Sequence, residues 1–442
     1  MTTTVTRLAD LLQTLFTTTA DRLAHDALFI QRRRVLTGAG MAQGLVFTWL
    51  DRPDATLDEL VQGLALAGTP IAPQSLEERF TPQAADFFRR LLQHALTAVV
   101  QAPATTLPLL DRFRGVYLLD STCRALPTAL AELWPGCGGS QPTTCQAMLK
   151  VQLRYELTTG ALDSLTLHPG RESDARTPAQ TQALPPGSLR LADLGYFDLD
   201  VLGDYDRAGV FYISRIQSGT KVHDDQGRKW SLPEWLARQS GKRIDAWVRV
   251  GHQRLRCRVV AVRAPRAVVA KRRRQARQQA RKHGQRVSRA KWEMCAWTVF
   301  ITNLPETMAN ADEIWVLYRL RWQIELLFKL WKSDGRIDEC RSGQPYRILT
   351  ELYAKLLGMV VQHWVLLVSG GGGLSERSVR KAARAVRRQA VQLASALGCH
   401  RWLVRVLRLV QRCVRSSGRV QRRRKRPSAY QTVQNPLHNG LT

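Results

Sequence analysis

Up to about Leu107 the apolar residues recur every three or four positions, as in Asp86-Phe87-Phe88-Arg89-Arg90-Leu91-Leu92, and from Gly115 that rhythm stops. A short apolar run, Val116-Tyr117-Leu118-Leu119, takes its place and ends on Asp120-Ser121-Thr122, the pattern of a buried strand with an acidic residue at its end. The switch requires two kinds of structure in one chain: a helical N-terminal region over 1–108 and strands after it. Residues 150–157 alternate strictly, Thr159-Gly160 supplies a turn, and 161–167 alternate again, which predicts a β-hairpin. Leu189-Arg190-Leu191-Ala192 is a further strand, again ending on an acid, Asp193.

From about 201 to 292 the sequence reads as an inserted β-rich module, with strand-like pieces at 210–216, 246–250 and 254–262. It closes on Lys271-Arg272-Arg273-Arg274 and further Arg and Lys up to Lys291, either a solvated basic face or a phosphate-contacting segment. Residues 297–301 form another apolar strand, and a long helix begins near Asn310, which caps it with Glu313 at the third position. Gly370 to Gly373 form a linker or break. Beyond it Val379, Ala382, Val386, Ala390, Leu393 and Leu397 make one apolar helix face, a core-capping, interface or DNA-binding element, followed by a basic tail at Arg419 to Arg426.

The chain of 442 residues carries 66 Lys and Arg against 36 Asp and Glu, a formal charge of +30, and its length predicts more than one folded unit. So much like charge is electrostatically costly unless a polyanion neutralises it, which puts nucleic acid first among partners. An anionic membrane attracts the same charge, but the longest apolar stretch, 352–368, is interrupted by Lys355, Gln362 and His363 and is too short and polar to span a bilayer. The first residues are not followed by the apolar block and cleavage site of a secretory signal, so a cytoplasmic location is expected, nucleoid-associated when bound to DNA. The eight cysteines form no Cys-x2-Cys pair and the nine histidines are equally scattered, so reduced thiols and no zinc site are expected.

Within 318–332, Tyr318, Arg321, Glu325 and Lys332 fall within roughly 60° of one another at about 100° per helical residue. Leu317, Leu320, Ile324, Leu327, Phe328 and Trp331 fill the adjoining arc, which predicts a half-buried polar row beside a packed flank. An exposed face on which Glu325 pairs with Arg321 and Lys329 explains the spacing equally well. Asp120 and Asp193, taken singly, also fit turn residues or helix caps.

Together and in this order, these residues resemble the Asp-Asp-Glu transposases of bacterial insertion sequences, in particular the insertion-sequence-4-like group. Its Tyr-x2-Arg-x3-Glu-x6-Lys signature is matched by Tyr318, Arg321, Glu325 and Lys332. The block Leu118-Leu119-Asp120-Ser121-Thr122 is similar to the first-aspartate block, and Ala192-Asp193-Leu194-Gly195-Tyr196-Phe197 to the second. Phe211-Tyr212-Ile213-Ser214-Arg215 and Phe300-Ile301-Thr302-Asn303-Leu304-Pro305 are similar to strands flanking the inserted module. Leu194 departs from the pattern, since many members have Arg there.

The resemblance, over about residues 80 to 370, implies an α/β fold: an RNase H-like catalytic core, a mixed sheet flanked by helices. Its halves lie at 109–200 and 293–369, with a β-rich insertion at 201–292 and helical N- and C-terminal regions at 1–108 and 370–442. It implies that Asp120, Asp193 and Glu325 hold two Mg2+ or Mn2+ ions about 3.5 to 4 Å apart. The implied reaction is cleavage at the terminal inverted repeats of an element and joining of its 3′ hydroxyls to target DNA, by a homodimer without a small-molecule cofactor. The DNA-binding set is Tyr318, Arg321, Lys329, Lys332, Arg215 and Lys271 to Arg274, with Trp297 and Trp322 as candidates to stack on a flipped base or, equally, as core residues. The other readings are a non-catalytic DNA-binding protein that keeps the fold and a nuclease that cuts without joining.

Overall fold

A computed structural model describes residues 4–32, 35–104, 106–137, 146–282, 284–370, 377–417 and 429–434. Gly371 to Gly373 and the basic tail at Arg419 to Arg426 lie outside the described residues. The strands are β1 (Val116–Leu126), β2 (Ala147–Glu156), β3 (Leu162–Pro169), β4 (Leu189–Ala192), β5 (Phe211–Arg215), β6 (Lys221–His223), β7 (Lys229–Ser231), β8 (Arg243–Val250), β9 (Leu255–Arg263) and β10 (Trp297–Thr302). The chain forms two compact units, each discontinuous in sequence. A helical unit takes Met1–Thr105, Ser121–Glu172 and Gln323–Arg426, and a sheet unit takes Thr106–Asp120, Ser173–Trp322 and Pro427–Thr442.

In the helical unit the three-to-four spacing of the first hundred residues folds as expected, and side-chain caps set the helix starts. Thr37 accepts from the Gly40 amide at 3.0 Å, and Thr56 and Glu59 form a reciprocal capping box. At the centre lies the Pro345–Val368 helix, buried on every face, with each residue from Ile348 to Leu367 buried. The Gly38–Asp51, Pro82–Ala95, Thr4–Thr14, Val379–Arg387 and His400–Ser417 helices pack around it. By length and composition this helix could cross a bilayer, but its apolar window is wholly buried within the protein. It also buries the Glu351–Lys355 pair at 2.6 Å, and Lys355 Nζ donates to the Arg336 and Glu339 carbonyls at 3.1 and 2.9 Å, so that neither charge is left unpaired. The apolar face expected on one helix past the glycine run is split between Val379–Arg387 and Ala390–Ala396, and its residues from Ala382 to Leu397 are buried.

The hairpin forms in register, Val151 opposite Leu167 and Leu153 opposite Leu165, with Gly160 at φ +75° in its turn. Strict alternation predicts one wet face, yet Lys150, Gln152, Arg154 and Glu156 are all buried. The charged groups among them are met locally: Lys150 Nζ donates to the Glu172 carbonyl at 2.5 Å, Arg154 pairs with Asp163, and Glu156 accepts from the Thr158 and Thr159 amides. The strand order here is β3-β2-β1. His363 of the central helix donates through Nε2 to the Gly160 carbonyl at 2.7 Å and so fixes the hairpin turn.

In the sheet unit the order is β1-β4-β5-β10-β9-β8-β6-β7, with β1, β4 and β5 parallel and β10, β9 and β8 antiparallel. Residues 210–216, within the 201–292 segment by their strand pattern and similar to a strand flanking the insertion, contain β5, which pairs in parallel with β4, and the strands that follow extend the same sheet beyond β10. One expectation is corrected. The sequence pattern stops the first strand at Asp120, but β1 runs on to Leu126, and only its ladder with β4 stops there, because β4 ends at Ala192. Asn303 reinforces the junction of β5 and β10: its side chain accepts from the Tyr212 amide at 2.9 Å and donates to the Val210 carbonyl at 3.0 Å.

Burial lowers the His363 imidazole to about 4, the Gly160 hydrogen bond opposing only in part. The folded state therefore excludes a proton that the unfolded chain accepts near pH 6.5, and this contribution to stability is present above that pH and lost as the pH falls toward 4. Urea unfolding of wild type and His363→Gln at pH 7, 6 and 5 should show wild type losing up to about 1.4 kcal/mol more per pH unit than the variant. Equal slopes would show that His363 is not the group responsible.

Candidate active site

Three parallel neighbours with a shared register place the end of the β1–β4 ladder beside the ends of β4 and β5. Leu119 pairs with Ala192 and Leu191 with Ile213, so carrying the register on, by one position from the first pair and two from the second, brings Asp120, Asp193 and Arg215 side by side, with neighbouring strands about 4.8 Å apart. Asp193 precedes a short 3-10 turn, Leu194–Tyr196, but its side chain makes no capping bond, so the carboxylate is not spent on that turn. Leu194, the position that departs from the family pattern, packs its side chain against the apolar core of the sheet unit.

Tyr318 and Arg321 face this edge from the end of the Ala311–Arg319 helix. Asn310 and Glu313 form the expected capping box that starts this helix. The Tyr318 hydroxyl lies 3.4 Å from Asp193 Oδ1 and 3.4 Å from the Ala192 carbonyl. Its ring is held against Phe300 of β10, centroids 4.4 Å apart, and Phe300 also meets Trp315 edge-on. Burial, with the Asp193 charge next, pushes the Tyr318 phenol up to about 12, so the hydroxyl stays a donor. Arg321 Nη1 is 3.6 Å from Asp120 Oδ2, both side chains largely shielded from solvent. Sequence reasoning does not single out Phe300, although its place in the apolar run of 297–301 marks it as core.

The long helix expected through 318–332 is two helices. Ala311–Arg319 ends in a turn in which the Leu320 and Arg321 amides bond back to Leu317 and Tyr318, and Trp322–Ser333 begins anew. One continuous helical wheel therefore does not relate Tyr318 and Arg321 to Glu325 and Lys332. The apolar flank is buried throughout as expected, and Tyr318, Arg321, Glu325 and Lys332 are all half-buried. Glu325 stands in the first turn of the second helix, with the exposed Lys329 one turn and Lys332 two turns along it, in the part of the chain that belongs to the helical unit. Among the described residues no three His, Cys, Asp or Glu side chains are close enough to hold a metal ion together.

The remaining candidates fall into different surroundings. Trp322 is 46% exposed, whereas Trp297 is partly buried against the core of the sheet unit with Arg263 over its ring. Lys271 to Arg274 lie on the Arg266–Lys282 helix. Arg272 turns inward, donating to the Trp297 carbonyl at 3.0 Å and Thr298 Oγ1 at 2.8 Å, and Arg273 stacks on Trp292 with Arg277. Lys271 and Arg274 are exposed.

The transposase DDE domain family matches residues 111–360, more than half of the chain and all of the strands described above. The chain is 28% identical over 368 residues to the transposase for insertion sequence element IS231F of Bacillus thuringiensis subsp. israelensis, covering 77% of this chain and 75% of that protein. It is 26% identical over 377 residues to the transposase for insertion sequence element IS1151 of Clostridium perfringens, covering 79% and 78%.

If the ring of Tyr318 is held by Phe300 and its hydroxyl by a long bond, the two parts should separate on substitution. Tyr318→Phe should cost about 1 kcal/mol or less, and Tyr318→Ala about 2 to 4 kcal/mol, both read from urea midpoints. Equal costs for the two would show that the ring contact contributes nothing.

Proposed function

Because the chain belongs to the transposase DDE domain family, whose members have an RNase H-like fold and use divalent metal ions, we propose that it is an insertion-sequence transposase whose catalytic carboxylates are Asp120, Asp193 and Glu325. The observation that carries the reading is the juxtaposition of Asp120 and Asp193 at the ends of a shared ladder, with the Asp193 side chain left over from capping. The donor set suits Mg2+ or Mn2+: carboxylate oxygens, with a tyrosine hydroxyl beside one of them and no sulfur or imidazole. Bound there, two such ions would supply an activated water or 3′ hydroxyl and a stabilised leaving oxygen.

The protein's own groups do the rest. Tyr318 orients the Asp193 carboxylate through its hydroxyl and stays neutral while doing so. Arg321 offsets the charge of Asp120 in the free protein and is placed to take a phosphate oxygen when DNA enters. Arg215 stands on the same edge, and Lys329 and Lys332 on the Glu325 helix add phosphate contacts. Trp322, being exposed, suits stacking on a base, while Trp297 serves the core. On this reading the protein binds the terminal inverted repeats of its element as a homodimer, cleaves at the ends and joins the 3′ hydroxyls to target DNA.

Carboxylates that act through metal binding are insensitive to shape and sensitive to charge. Asp120→Asn, Asp193→Asn and Glu325→Gln should each fold and bind end-bearing duplex nearly as wild type does, while cleavage in Mg2+ or Mn2+ falls by orders of magnitude. Near-wild-type cleavage by Glu325→Gln would remove it from the site, leaving a surface row worth only about 0.3 to 0.5 kcal/mol per pair. Joined products with target DNA distinguish a transposase from a nuclease that only cuts.

The Arg266–Lys282 helix gives an independent test. Replacing the exposed Lys271, Arg274 and Arg281 by Gln should make DNA affinity less dependent on salt, by up to about 0.9 in logarithmic slope for each phosphate that the helix no longer neutralises. Replacing Arg272 should instead lower stability, because its guanidinium is bonded to β10.

A further inference from the structure

The catalytic reading leaves unused a row of arginines in the helical unit. Along the His400–Ser417 helix, Arg401, Arg405, Arg408 and Arg412 follow one another at four, three and four residues. At about 100° and 1.5 Å per residue they fall within roughly 60° of each other and span about 16 Å of helix. All four are exposed, and together with Thr6 of the Thr4–Thr14 helix they line an open cleft of about 730 Å³. On the opposite side of the helix Leu403, Val406, Leu407 and Val410 are buried, so packing fixes the row outward.

The row is not neutralised by the protein. Some exposed arginines elsewhere in this unit stand beside a carboxylate, as Arg22 does at 3.2 Å from Asp26 and Arg380 at 3.1 Å from Asp334. None of these four side chains takes part in an ion pair or hydrogen bond among the described residues, and the nearby carboxylate of Asp10 is held by His400 at 2.8 Å. Like charges at four-residue spacing destabilise a helix, so the arrangement is favourable only with a polyanion present. Gln411, the amide on the wall of the cleft, donates to the Val368 carbonyl at 2.8 Å and is turned away from a ligand. The row therefore offers a line of guanidinium groups, spaced about 4.5 to 6 Å along the axis, suited to successive phosphates.

We propose that this cleft is a second DNA-binding surface, gripping the phosphate backbone of duplex DNA without reading its sequence. The choice of DNA as the polyanion rests on the transposase reading above. The grip itself rests on the arginine row.

The test uses the full chain with Arg401, Arg405, Arg408 and Arg412 all replaced by Gln, beside a version with all four replaced by Lys. Binding of a short labelled duplex is followed across a range of KCl concentrations, for element-end and unrelated sequences. The four-Gln protein should keep its thermal midpoint and lose about 3 to 4 in the slope of log K against log salt, equally on both duplexes. The four-Lys protein should keep most of the wild-type slope. If the four-Gln protein does not fold, Arg405→Gln with Arg408→Gln should still remove about 2. An unchanged slope in a folded variant, or a loss confined to element-end DNA, overturns the proposal. So does loss of binding to phosphatidylglycerol vesicles alone, which would make the surface a lipid site. Wild type that binds no duplex at all takes down the transposase reading itself, whereas wild type that binds and cleaves while the variants match it takes down only this cleft.

Discussion

The register of hydrogen-bonded parallel strands fixes which residues lie side by side, and the candidate site depends on that constraint. Because β4 is bonded to β1 on one side and β5 on the other, the positions following their last paired residues cannot be placed independently. Asp120, Asp193 and Arg215 are brought together by backbone hydrogen bonds, with no affinity needed between the two carboxylates, which repel. Tyr318 and Arg321 then arrive from a helix whose approach is fixed by the packing of Tyr318 on Phe300. These four groups and Arg215 are thus held on one edge by backbone pairing and ring packing alone.

The excess of positive charge is handled in three ways in this structure, and only one of them is suited to DNA. Some arginines are consumed internally: Arg258 pairs with Asp245 from a buried position, and Arg272 bonds to β10. Others stack on aromatic rings, as Arg273 and Arg277 do on Trp292. The remainder, including Lys271, Arg274 and the row on the His400–Ser417 helix, stay open to solvent. A count of basic residues cannot sort these classes, because the sorting depends on what each side chain meets across the fold.

Much of the architecture could be read from the chain because periodicity reports which face is buried. The hairpin, the strands leading to Asp120 and Asp193, and the Asn310 cap all carried local signals. What could not be read depended on partners distant in sequence. The apolar pattern of Phe211 to Arg215 alone does not say that it pairs with β4, and the end of the β1 ladder at Leu119 is set by where β4 ends. The alternation of β2 misled in the same way: its polar face is covered, and the carboxylate and carbonyl partners that make this tolerable lie at Asp163 and Glu172. The turn at Leu320 and Arg321 contains neither Gly nor Pro, so no breaker marked it.

The centre of the helical unit is made late. Gly38–Asp51 and Pro82–Ala95 bury their apolar faces against Pro345–Val368, a helix that begins some 250 residues after the second of them ends. At roughly 5 to 20 residues per second, a ribosome would leave those faces without this partner for about 12 to 50 s. During that interval the nascent chain is a client for holding chaperones, and any polypeptide ending before the central helix would keep the same faces bare. Shortened products of such a gene are therefore marked for aggregation or degradation, and the supply of this protein is tied to completed synthesis.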